Sequence, residues 1–334
     1  MKFSIIGAGS SYTPELIEEM AVRKEFLPVK EVMLYDIDEK RLEVMKGFIQ
    51  RFVKKIHLPV EVKSTTDLKE AVYGAAFIDT QIRVGGNTQR VKDEKIPLKY
   101  GLVGQETTGA GGMMKALRTI PVMLEVARAM ETHSPDGWII NYTNPTGLVT
   151  EAVTRTTKAN IAGFCSGGIF PKMWAKEALS VPYDKVHYNY VGLNHMNFIS
   201  NVTIDGRPIT DEEFEKICSK NAGVDIELSK LPGVLTSPYL QYYYHTDKRV
   251  ARNRNAAQTR CEYLQVTETA VLAHYAYDPH DEKQDILAQR CGGGYSDVAM
   301  TFVNAIYNNI HTAMVVNVPN NVSFSFLSLP AFFV

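Results

Sequence analysis

The first 36 residues constrain the fold more than any other part of the chain. An apolar segment, Phe3–Ile6, runs into the glycine turn Gly7-Ala-Gly9 and then into a stretch that begins Thr13-Pro-Glu. Threonine is a good N-cap and proline suits the first helical position, so we expect a helix capped by Thr13. A second apolar segment follows and ends in Asp36. This order predicts the strand, turn, helix and strand of a dinucleotide-binding unit.

In a unit of this kind, Gly7 permits the tight turn and Gly9 lets a pyrophosphate approach the backbone closely. The N-terminus of the helix offers N–H groups and a favourable dipole to the negative charge. Asp36 is placed to bind the ribose hydroxyls of an adenosine. Tyr12 occupies the position of the third glycine in the usual fingerprint, so a strand–helix–strand unit without a nucleotide stays an alternative.

The alternation of strand and helix patterns continues through the first half of the chain. Strands are expected at 3–6, 32–35, 60–63, 77–81, 138–142 and 162–164, and helices near 14–25, 38–56, 66–73 and 113–132. Such alternation is typical of a mostly parallel sheet with helices on both faces. The segments 185–190 and 196–202, followed by a glycine turn, predict antiparallel strands instead.

We therefore predict an α/β protein, with a Rossmann-like doubly wound parallel sheet followed by a mixed α+β substrate or oligomerisation domain. The predicted division is a dinucleotide-binding domain at 1–160, a catalytic, metal and substrate domain at 161–320, and an apolar tail at 321–334. The tail is uncharged and ends in Phe-Phe-Val. A strand docked in the core and a C-terminus that has been truncated or replaced both explain it.

The composition excludes several classes of function. The net charge is −1 at pH 7, so there is no electrostatic case for nucleic acid or an anionic membrane as a partner. No apolar segment reaches the roughly 18–20 residues of a membrane span, and no signal sequence precedes the first strand. The four cysteines have no paired spacing, which favours free thiols in a reducing cytoplasm. The common hydrolase, zinc-protease and kinase motifs are missing.

Two polar segments in the first half are candidates for substrate binding. Arg83 and Arg90 flank a glycine-rich stretch after the strand expected at 77–81, at the sheet edge where ligands of open α/β folds bind. Arginine forks match phosphate oxygens, so an anionic substrate is indicated, although arginines of a surface loop give the same pattern. The loop 101–112 holds five glycines and one acid, Glu106, which is typical of a loop that lies against a ligand.

Four further residues are candidates on weaker grounds. Asn144 follows a predicted strand and could bind a sugar hydroxyl, although an Asx turn is the simpler explanation. Cys165 and His195 stand 30 residues apart, and one cysteine with one histidine does not specify a metal site; taken alone, both are better explained as structural residues. Tyr239 opens a run of four tyrosines in six positions, a pattern more frequent in cores and interfaces than in catalysis.

Taken in order, these segments resemble the NAD-dependent glycoside hydrolases of family 4, and within that family the 6-phospho-β-glucosidases. The resemblance runs from residue 1 to about residue 320. Its most specific pieces are Gly7-x-Gly-Ser-Ser-Tyr-Thr-Pro14, Ile82-Arg-Val-Gly85, Lys99–Thr107, Asn141–Pro145, Gly192–His195 and Tyr239–Tyr243.

The resemblance implies a role for each candidate residue. Cys165 and His195 correspond to the two protein ligands of a divalent metal ion, usually Mn²⁺. Tyr239 corresponds to the base at C2 of the sugar, and Glu106 to the acid that raises its basicity. The remaining positions correspond to ligand contacts, with NAD bound by Gly7, Gly9, Ser10 and Asp36 and the substrate bound by Arg83, Arg90, Asn144 and Arg260.

The implied reaction is hydrolysis of a phosphorylated disaccharide or an aryl 6-phospho-β-glucoside by oxidation at C3, deprotonation at C2 and elimination of the aglycone. Water then adds and the hydride returns to C3, so no net NADH is formed. The resemblance also implies a cytoplasmic homodimer or homotetramer when the C-terminus is intact. Ser166 stands where α-specific relatives have an acid or a histidine, which favours β-specificity because serine is a poor general acid.

Two other functions stay open. A 2-hydroxy-acid dehydrogenase would use the N-terminal half and one histidine, but it would leave Cys165 and Tyr239 without a role. A catalytically impaired nucleotide-binding remnant is suggested by the apolar tail, because the relatives continue in a different sequence where this chain enters it.

Overall fold

Six parallel strands form the larger of two sheets in the computed structural model, which describes residues 1–221, 223–230, 233–277 and 294–319. In chain order they are β1 (Lys2–Ile6), β2 (Glu31–Tyr35), β3 (Glu61–Thr65), β4 (Ala75–Thr80), β5 (Trp138–Asn141) and β6 (Asn160–Gly163). They pair in the order β3-β2-β1-β4-β5-β6, the order of dinucleotide-binding sheets. The predicted Rossmann-like fold is confirmed, and the carboxyl ends of all six strands meet at one edge.

Helices cover both faces of this sheet. They are α1 (Thr13–Val22), α2 (Glu39–Lys55), α3 (Leu68–Val72), α4 (Gly86–Lys99), α5 (Gly109–His133) and α6 (Thr146–Thr156). Phe3 and Ile5 of β1 pack in the core under α1 and α2, whereas Ile78 and Ile139 pack in the core under α5 and α6. A parallel sheet covered on both faces needs apolar side chains on both, which explains the nearly continuous apolar strands of the sequence.

The start of α1 differs from the prediction. The helix begins at Thr13 itself, Tyr12 occupies the capping position, and no side chain caps the helix. Thr13 is buried, and its hydroxyl donates a hydrogen bond to Ala8 O at 2.8 Å. A buried hydroxyl needs such a partner, so this threonine braces the turn from inside instead of capping the helix.

Two helices, α4 and α6, lie in segments for which the sequence predicts loops or no regular element. The buried face of α4 consists mainly of Arg90, Asp93 and Glu94. The buried face of α6 mixes threonines with valines. Helices are recognised in a sequence by apolar residues at helical spacing, and a buried face made of charged or hydroxyl side chains gives a weak signal.

A second, antiparallel sheet follows β6. Its strands are β7 (Val186–Leu193), β8 (Met196–Ile204), β9 (Arg207–Pro208) and β10 (Leu235–Thr236), and β8 pairs with each of the others. The helices around it are α7 (Phe170–Leu179), α8 (Asp211–Cys218) and α9 (Ile226–Lys230). Trp174, Val186 and Ile199 belong to its separate apolar core. The predicted antiparallel strands are confirmed.

The last helices return to the first sheet. They are α10 (Gln241–Tyr244), α11 (Thr246–Asn255), α12 (Arg260–Tyr277) and α13 (Tyr295–Tyr307). Tyr275 of α12 stacks on Phe48 of α2 with ring centroids 4.1 Å apart. Phe302 of α13 packs edge-on against Trp138 of β5. Late segments thus complete the core of the first sheet, and the division into domains at residue 160 stays a prediction.

Two further expectations from the sequence concern the C-terminal tail and membrane-spanning segments. The apolar tail at 321–334 lies outside the described residues. Within the described ranges, no helix combines the length and the apolar character needed to cross a membrane.

Candidate active site

The turn between β1 and α1 lies at the carboxyl edge of the first sheet. Gly7 has a φ of +92°, which glycine adopts without strain. Gly9 lies against Asp36, just after β2: its N–H donates to Asp36 Oδ2 at 2.8 Å. A Cβ at position 9 would stand 2.8 Å from that same oxygen, so a larger residue would have to displace the Asp36 side chain. The turn and the carboxylate are brought together as the sequence predicts.

Most N–H groups of this turn donate within the protein. The N–H of Gly7 donates to Tyr35 O, and that of Ser10 donates to Gly7 O. The second carboxylate oxygen of Asp36 accepts the N–H of Asp38 at 2.9 Å. These bonds fix the shape of the turn that is predicted to receive the pyrophosphate. The contacts of Ser10 and Asp36 with a nucleotide stay predictions.

Cys165 and His195 come from two different sheets and meet side by side. Cys165 follows β6, and its Sγ accepts the N–H of Gly167 at 3.4 Å. His195 lies in the two-residue turn between β7 and β8, with a φ of +65°, and it is buried. The distance from Cys165 Sγ to His195 Nε2 is 3.3 Å. The β7–β8 hairpin therefore delivers an imidazole to the end of β6.

Tyr239 completes this group. It lies in a short 3₁₀ helix, Pro238–Leu240, where the hydroxyl of Ser237 accepts its N–H. Its ring stacks on the His195 imidazole with centroids 3.6 Å apart and planes 3° from parallel. A thiol, an imidazole and a phenol from three distant segments thus lie in one place. We name Cys165, His195 and Tyr239 the site triad.

Burial governs the protonation of the site triad. It raises the pKa of the Cys165 thiol to about 11, against a hydrogen bond from Gly167 that lowers it. It lowers the pKa of His195 to about 4, with the charge of Glu106 opposing. It also raises the pKa of Tyr239 well above the ordinary value, and negative charge on Cys165 raises it further. The imidazole is thus neutral, the form in which histidine binds metal ions.

The chemistry of Cys165 and His195 fits a metal ion. A thiolate about 2.3 Å and an imidazole about 2.0 Å from one ion stand about 3.1–3.5 Å apart at ligand angles of about 90–110°, and the observed separation is 3.3 Å. Among the residues that the structure describes, no group of three or more His, Cys, Asp or Glu side chains could hold a metal. A two-residue site leaves positions for other ligands, as a catalytic metal requires.

Glu106 lies in a buried cluster of cations. Its carboxylate forms ion pairs with Arg83, with Arg90 Nη1 at 3.0 Å and with Lys115 Nζ at 2.6 Å. Burial alone would raise the pKa of Glu106, but Arg83, Lys115 and Arg90 outweigh it and hold the pKa well below its ordinary value. The charge of Glu106 also raises the pKa of Tyr239, the direction expected of a residue that increases its basicity.

The remaining candidates are less directly connected. Asn144 accepts a hydrogen bond from the Thr146 hydroxyl at 3.2 Å, and it makes no hydrogen bond or ion pair with the other candidates in the described part of the chain. Arg260 is exposed at the first position of α12, with its guanidinium 5.3 Å from the centre of the Tyr263 ring. The substrate contacts of Asn144 and Arg260 stay predictions.

Sequence reasoning missed two residues of the site. Lys115 is buried on α5 beside Glu106, and burial lowers its pKa to about 8; a lysine in a helical pattern is normally assigned to solvent. The side chain of Tyr295 shares a hydrogen bond with Ser166, the residue after Cys165. Burial raises the pKa of Tyr295 above the ordinary value. The Tyr142 hydroxyl donates to Tyr295 O at 2.6 Å. Neither position carries a sequence signal of its own.

The strand order and the covered parallel sheet make this chain a Rossmann-like α/β protein, the class that binds dinucleotides at the edge where the site lies. Comparison with known proteins narrows the class. The family model described as "Family 4 glycosyl hydrolase" matches residues 2–181. The model described as "Family 4 glycosyl hydrolase C-terminal domain" matches residues 190–330. The chain belongs to family 4 of the glycosyl hydrolases, as the resemblance in its sequence indicates.

Several individual relatives are similar over nearly the whole chain. A probable 6-phospho-beta-glucosidase of Bacillus subtilis is 39% identical over 96% of this chain and 76% of its own length. The 6-phospho-beta-glucosidase of Escherichia coli is 35% identical over 96% of this chain and 75% of its own. A Thermotoga maritima 6-phospho-beta glucosidase, solved with manganese, NAD+ and glucose-6-phosphate, superimposes with a TM-score of 0.91 at 32% identity, covering 100% of this chain and 79% of that one.

Proposed function

We propose that this chain hydrolyses 6-phospho-β-glucosides with the help of NAD and a divalent metal ion such as Mn²⁺. The observation that carries the proposal is the site triad, in which Cys165 Sγ lies 3.3 Å from His195 Nε2 and the Tyr239 ring stacks on that imidazole. Membership of the family and the names of its relatives support the same activity.

Cys165 and His195 would hold the metal ion, and the glycine turn at Gly7 and Gly9 would hold the pyrophosphate of NAD. When bound, NAD supplies reversible hydride exchange at C3 of the sugar, and the metal supplies Lewis-acid polarisation of the neighbouring oxygens. Every other task falls to side chains of the protein. The close fit of glycine against Asp36 and the spacing of sulfur and imidazole are the features that match these two groups.

Tyr239 is the base in this proposal, and its Oη takes the proton from C2. Burial keeps the free phenol protonated, since it raises the pKa well above the ordinary value. A base must be deprotonated before it acts, so positive charge has to reach the phenol when the ligands bind. Once formed, a phenolate of high pKa is a strong base, and the negative charge of Glu106 contributes to that strength.

The choice of the β-anomer is supported by Ser166. This residue is buried beside Cys165, and its side chain shares a hydrogen bond with Tyr295. A serine in this position offers no acid with a pKa near neutrality to protonate a leaving group. In the proposed reaction, the aglycone therefore leaves without protonation by a carboxylic acid at position 166.

Release of p-nitrophenol from p-nitrophenyl 6-phospho-β-glucoside tests the proposal. With NAD⁺, Mn²⁺ and a reducing agent present, we expect p-nitrophenol to form with no accumulation of NADH, because the hydride returns to the sugar in each turnover. Omission of either cofactor should stop the reaction. Stoichiometric NADH formation, or turnover that needs only one of the two cofactors, would contradict the proposal.

The proposal includes a cytoplasmic location and, when the C-terminus is intact, a homodimer or homotetramer. Cys165, Cys218 and Cys261 are free thiols, which suits a reducing compartment. Large apolar side chains on α4, α5 and the intervening loop are exposed, among them Tyr100, Met113 and Leu117, and such groups are typical of subunit contacts. Light scattering of the protein with an intact C-terminus should give a mass of two or four subunits; a monomer at micromolar concentration would contradict the oligomer.

A further inference from the structure

Glu94 connects α4 and α12, the two helices that carry the proposed substrate arginines Arg90 and Arg260. One of its carboxylate oxygens, Oε1, accepts Arg90 Nε at 2.9 Å within α4. The other oxygen, Oε2, accepts the N–H of Cys261 at 2.9 Å, in the first turn of α12. Arg260 is the residue immediately before Cys261. A single carboxylate thus links the guanidinium of Arg90 to the backbone that carries Arg260.

The environment of Glu94 makes this link rigid. Glu94 is only 5% exposed and Arg90 9% exposed. Charge-assisted hydrogen bonds in such a setting are stronger than those on the surface. A carboxylate at the N-terminal turn of α12 is also favoured by the helix dipole.

The hydrogen bonds of Arg90 leave one nitrogen for a ligand. Its Nε donates to Glu94, and its Nη1 lies 3.0 Å from Glu106 Oε1. Its Nη2 makes no hydrogen bond or ion pair with any residue in the described ranges. Arginine side chains lose much rotamer entropy when they are fixed. The two glutamates fix this one before substrate arrives.

We propose that Glu94 is a positioning residue for substrate recognition, which sets the Arg90 guanidinium and the first turn of α12 at one fixed separation. The inference rests on the proposed function, in which Arg90 and Arg260 contact the phosphorylated sugar. Glu94 acts through these two arginines and does not itself touch substrate. Contacts made equally in the ground and transition states affect KM, whereas those made only in the transition state affect kcat. Loss of Glu94 should therefore change KM more than kcat.

A neighbouring ion pair provides a matched control. Lys95 of α4 and Glu262 of α12 lie 2.5 Å apart and connect the same two helices, one residue further along each. This pair is largely exposed, with side-chain exposures of 51% and 30%. Exposed pairs contribute little to stability. Glu262→Gln therefore reports what the loss of any carboxylate between α4 and α12 does, and Glu94→Gln reports the loss of the buried link.

The experiment is steady-state kinetics on p-nitrophenyl 6-phospho-β-glucoside with NAD⁺ and Mn²⁺ at saturation. Glu94→Gln keeps the shape of the side chain but cannot accept both hydrogen bonds with its oxygen. We expect KM to rise about tenfold, the effect of losing one charge-assisted bond, with kcat changed less than about threefold. Glu262→Gln should leave both constants within about twofold. Thermal unfolding of each variant with NAD⁺ identifies any loss of fold.

A double variant separates positioning from general destabilisation. In an Arg90→Lys background, Glu94→Gln should raise KM by a smaller factor than it does in the wild type, because its main route of action is already lost. If Glu94→Gln fails to fold, Glu94→Asp, which retains the charge but is too short to bridge both partners, is expected to raise KM in the same way.

Three results would overturn the inference. They are an unchanged KM in Glu94→Gln, an equal rise in KM for Glu94→Gln and Glu262→Gln, and independent factors that multiply in the double variant. A wild-type chain without activity on the phosphoglucoside would overturn the proposed function itself and this inference with it. Activity in the wild type together with an indifferent Glu94→Gln would overturn the inference alone.

Discussion

Among single residues, Tyr239 has the most demanding proposed role, because a phenol must lose its proton before it can act as a base. It lies half-buried against the His195 imidazole, and desolvation together with negative charge on Cys165 and Glu106 raises its pKa in the free protein. The same surroundings make its phenolate strongly basic once bound cations have stabilised it. In the proposed function, the base is thus inactive until the ligands bind.

Replacing Tyr239 by phenylalanine should remove the base and keep the ring stack on His195. We expect solvent exchange of the C2 proton to stop and kcat to fall at least about 100-fold, as for loss of a general base, while NAD⁺ affinity is unchanged. Proton NMR in D₂O measures the exchange, and calorimetry measures the binding. Tyr243→Phe, a change at an exposed tyrosine of the same segment, is the control. Continued exchange in Tyr239→Phe would show that another group is the base.

Asp79 is a second unusual residue, which forms no ion pair in the described part of the chain. It lies on β4 with 2% exposure, and its Oδ1 has no hydrogen-bond partner. Burial raises its pKa to about 8. In the unfolded chain the pKa returns to about 3.9, so between these values folding requires uptake of a proton. Stability is therefore lost as the pH rises from about 4 to about 8, and the loss is complete above that range.

Asp79→Asn mimics the protonated acid and should stabilise the protein more at pH 8 than at pH 5. The expected gain in the free energy of unfolding differs between the two pH values by on the order of 3 kcal/mol. Urea unfolding at both pH values measures it. Asp136→Asn, in an exposed loop, should change stability little at either pH. A gain at pH 8 no larger than at pH 5 would show that Asp79 is not neutral in the folded protein.

At the scale of elements, the sequence predicts what is apolar and misses what is buried but charged. The strands of the first sheet follow mainly from their apolar residues, because both faces of a parallel sheet are covered; in the edge strand β3 only Val62 is buried. α4 does not follow, since its buried face carries Arg90, Asp93 and Glu94. The fold was therefore predictable from periodicity, whereas the helix that carries Arg90, a proposed substrate contact, was not.

The site shows the same limit. The glycine turn could be predicted because its backbone geometry requires glycine, and glycine is visible in the sequence. At Gly9, for example, a Cβ would lie too close to Asp36. The site triad followed only from the resemblance, because a lone cysteine, histidine and tyrosine have more ordinary explanations. Lys115 could not be predicted at all, since its burial depends on Glu106, a partner from the preceding loop.

The loop that carries Glu106 depends on close backbone contact with α4. A Cβ at Gly104 would stand 1.8 Å from Glu94 O. Gly104→Ala should therefore displace the loop, lower the free energy of unfolding by about 1–3 kcal/mol or more and reduce activity. Gly47→Ala on α2, where the new Cβ would lie 3.5 Å from its nearest neighbour, should stabilise by about 0.5–1 kcal/mol. Denaturant unfolding measures both. A stable, active Gly104→Ala would contradict the tight contact.

At the scale of the whole molecule, the site exists only because distant parts of the chain converge. The first sheet provides the turn predicted to bind the nucleotide and Cys165, the second sheet provides His195, and α12 links that turn to α4. Glu268 of α12 accepts hydrogen bonds from Arg41, which also donates to Gly9 O, and from Asn87 of α4. Ligands that bridge such elements stabilise the folded chain as a unit.

Thermal unfolding should reveal two separable ligands. NAD⁺ and Mn²⁺ should each raise the midpoint, with about 2.7 kcal/mol of stabilisation at a concentration of 100 times the dissociation constant. Cys165→Ser should abolish the shift caused by Mn²⁺ and preserve that caused by NAD⁺. Cys218→Ser, a change at a buried thiol of the second core, should preserve both shifts. A normal Mn²⁺ shift in Cys165→Ser would place the metal elsewhere.

The most direct measurement is a crystal structure of the chain grown with NAD⁺ and Mn²⁺, with the manganese located by anomalous scattering. We predict one manganese bonded to both Cys165 Sγ and His195 Nε2, beside C4 of the nicotinamide and within reach of Tyr239. Manganese bound at other residues, or a nicotinamide that lies away from Cys165 and His195, would contradict the account.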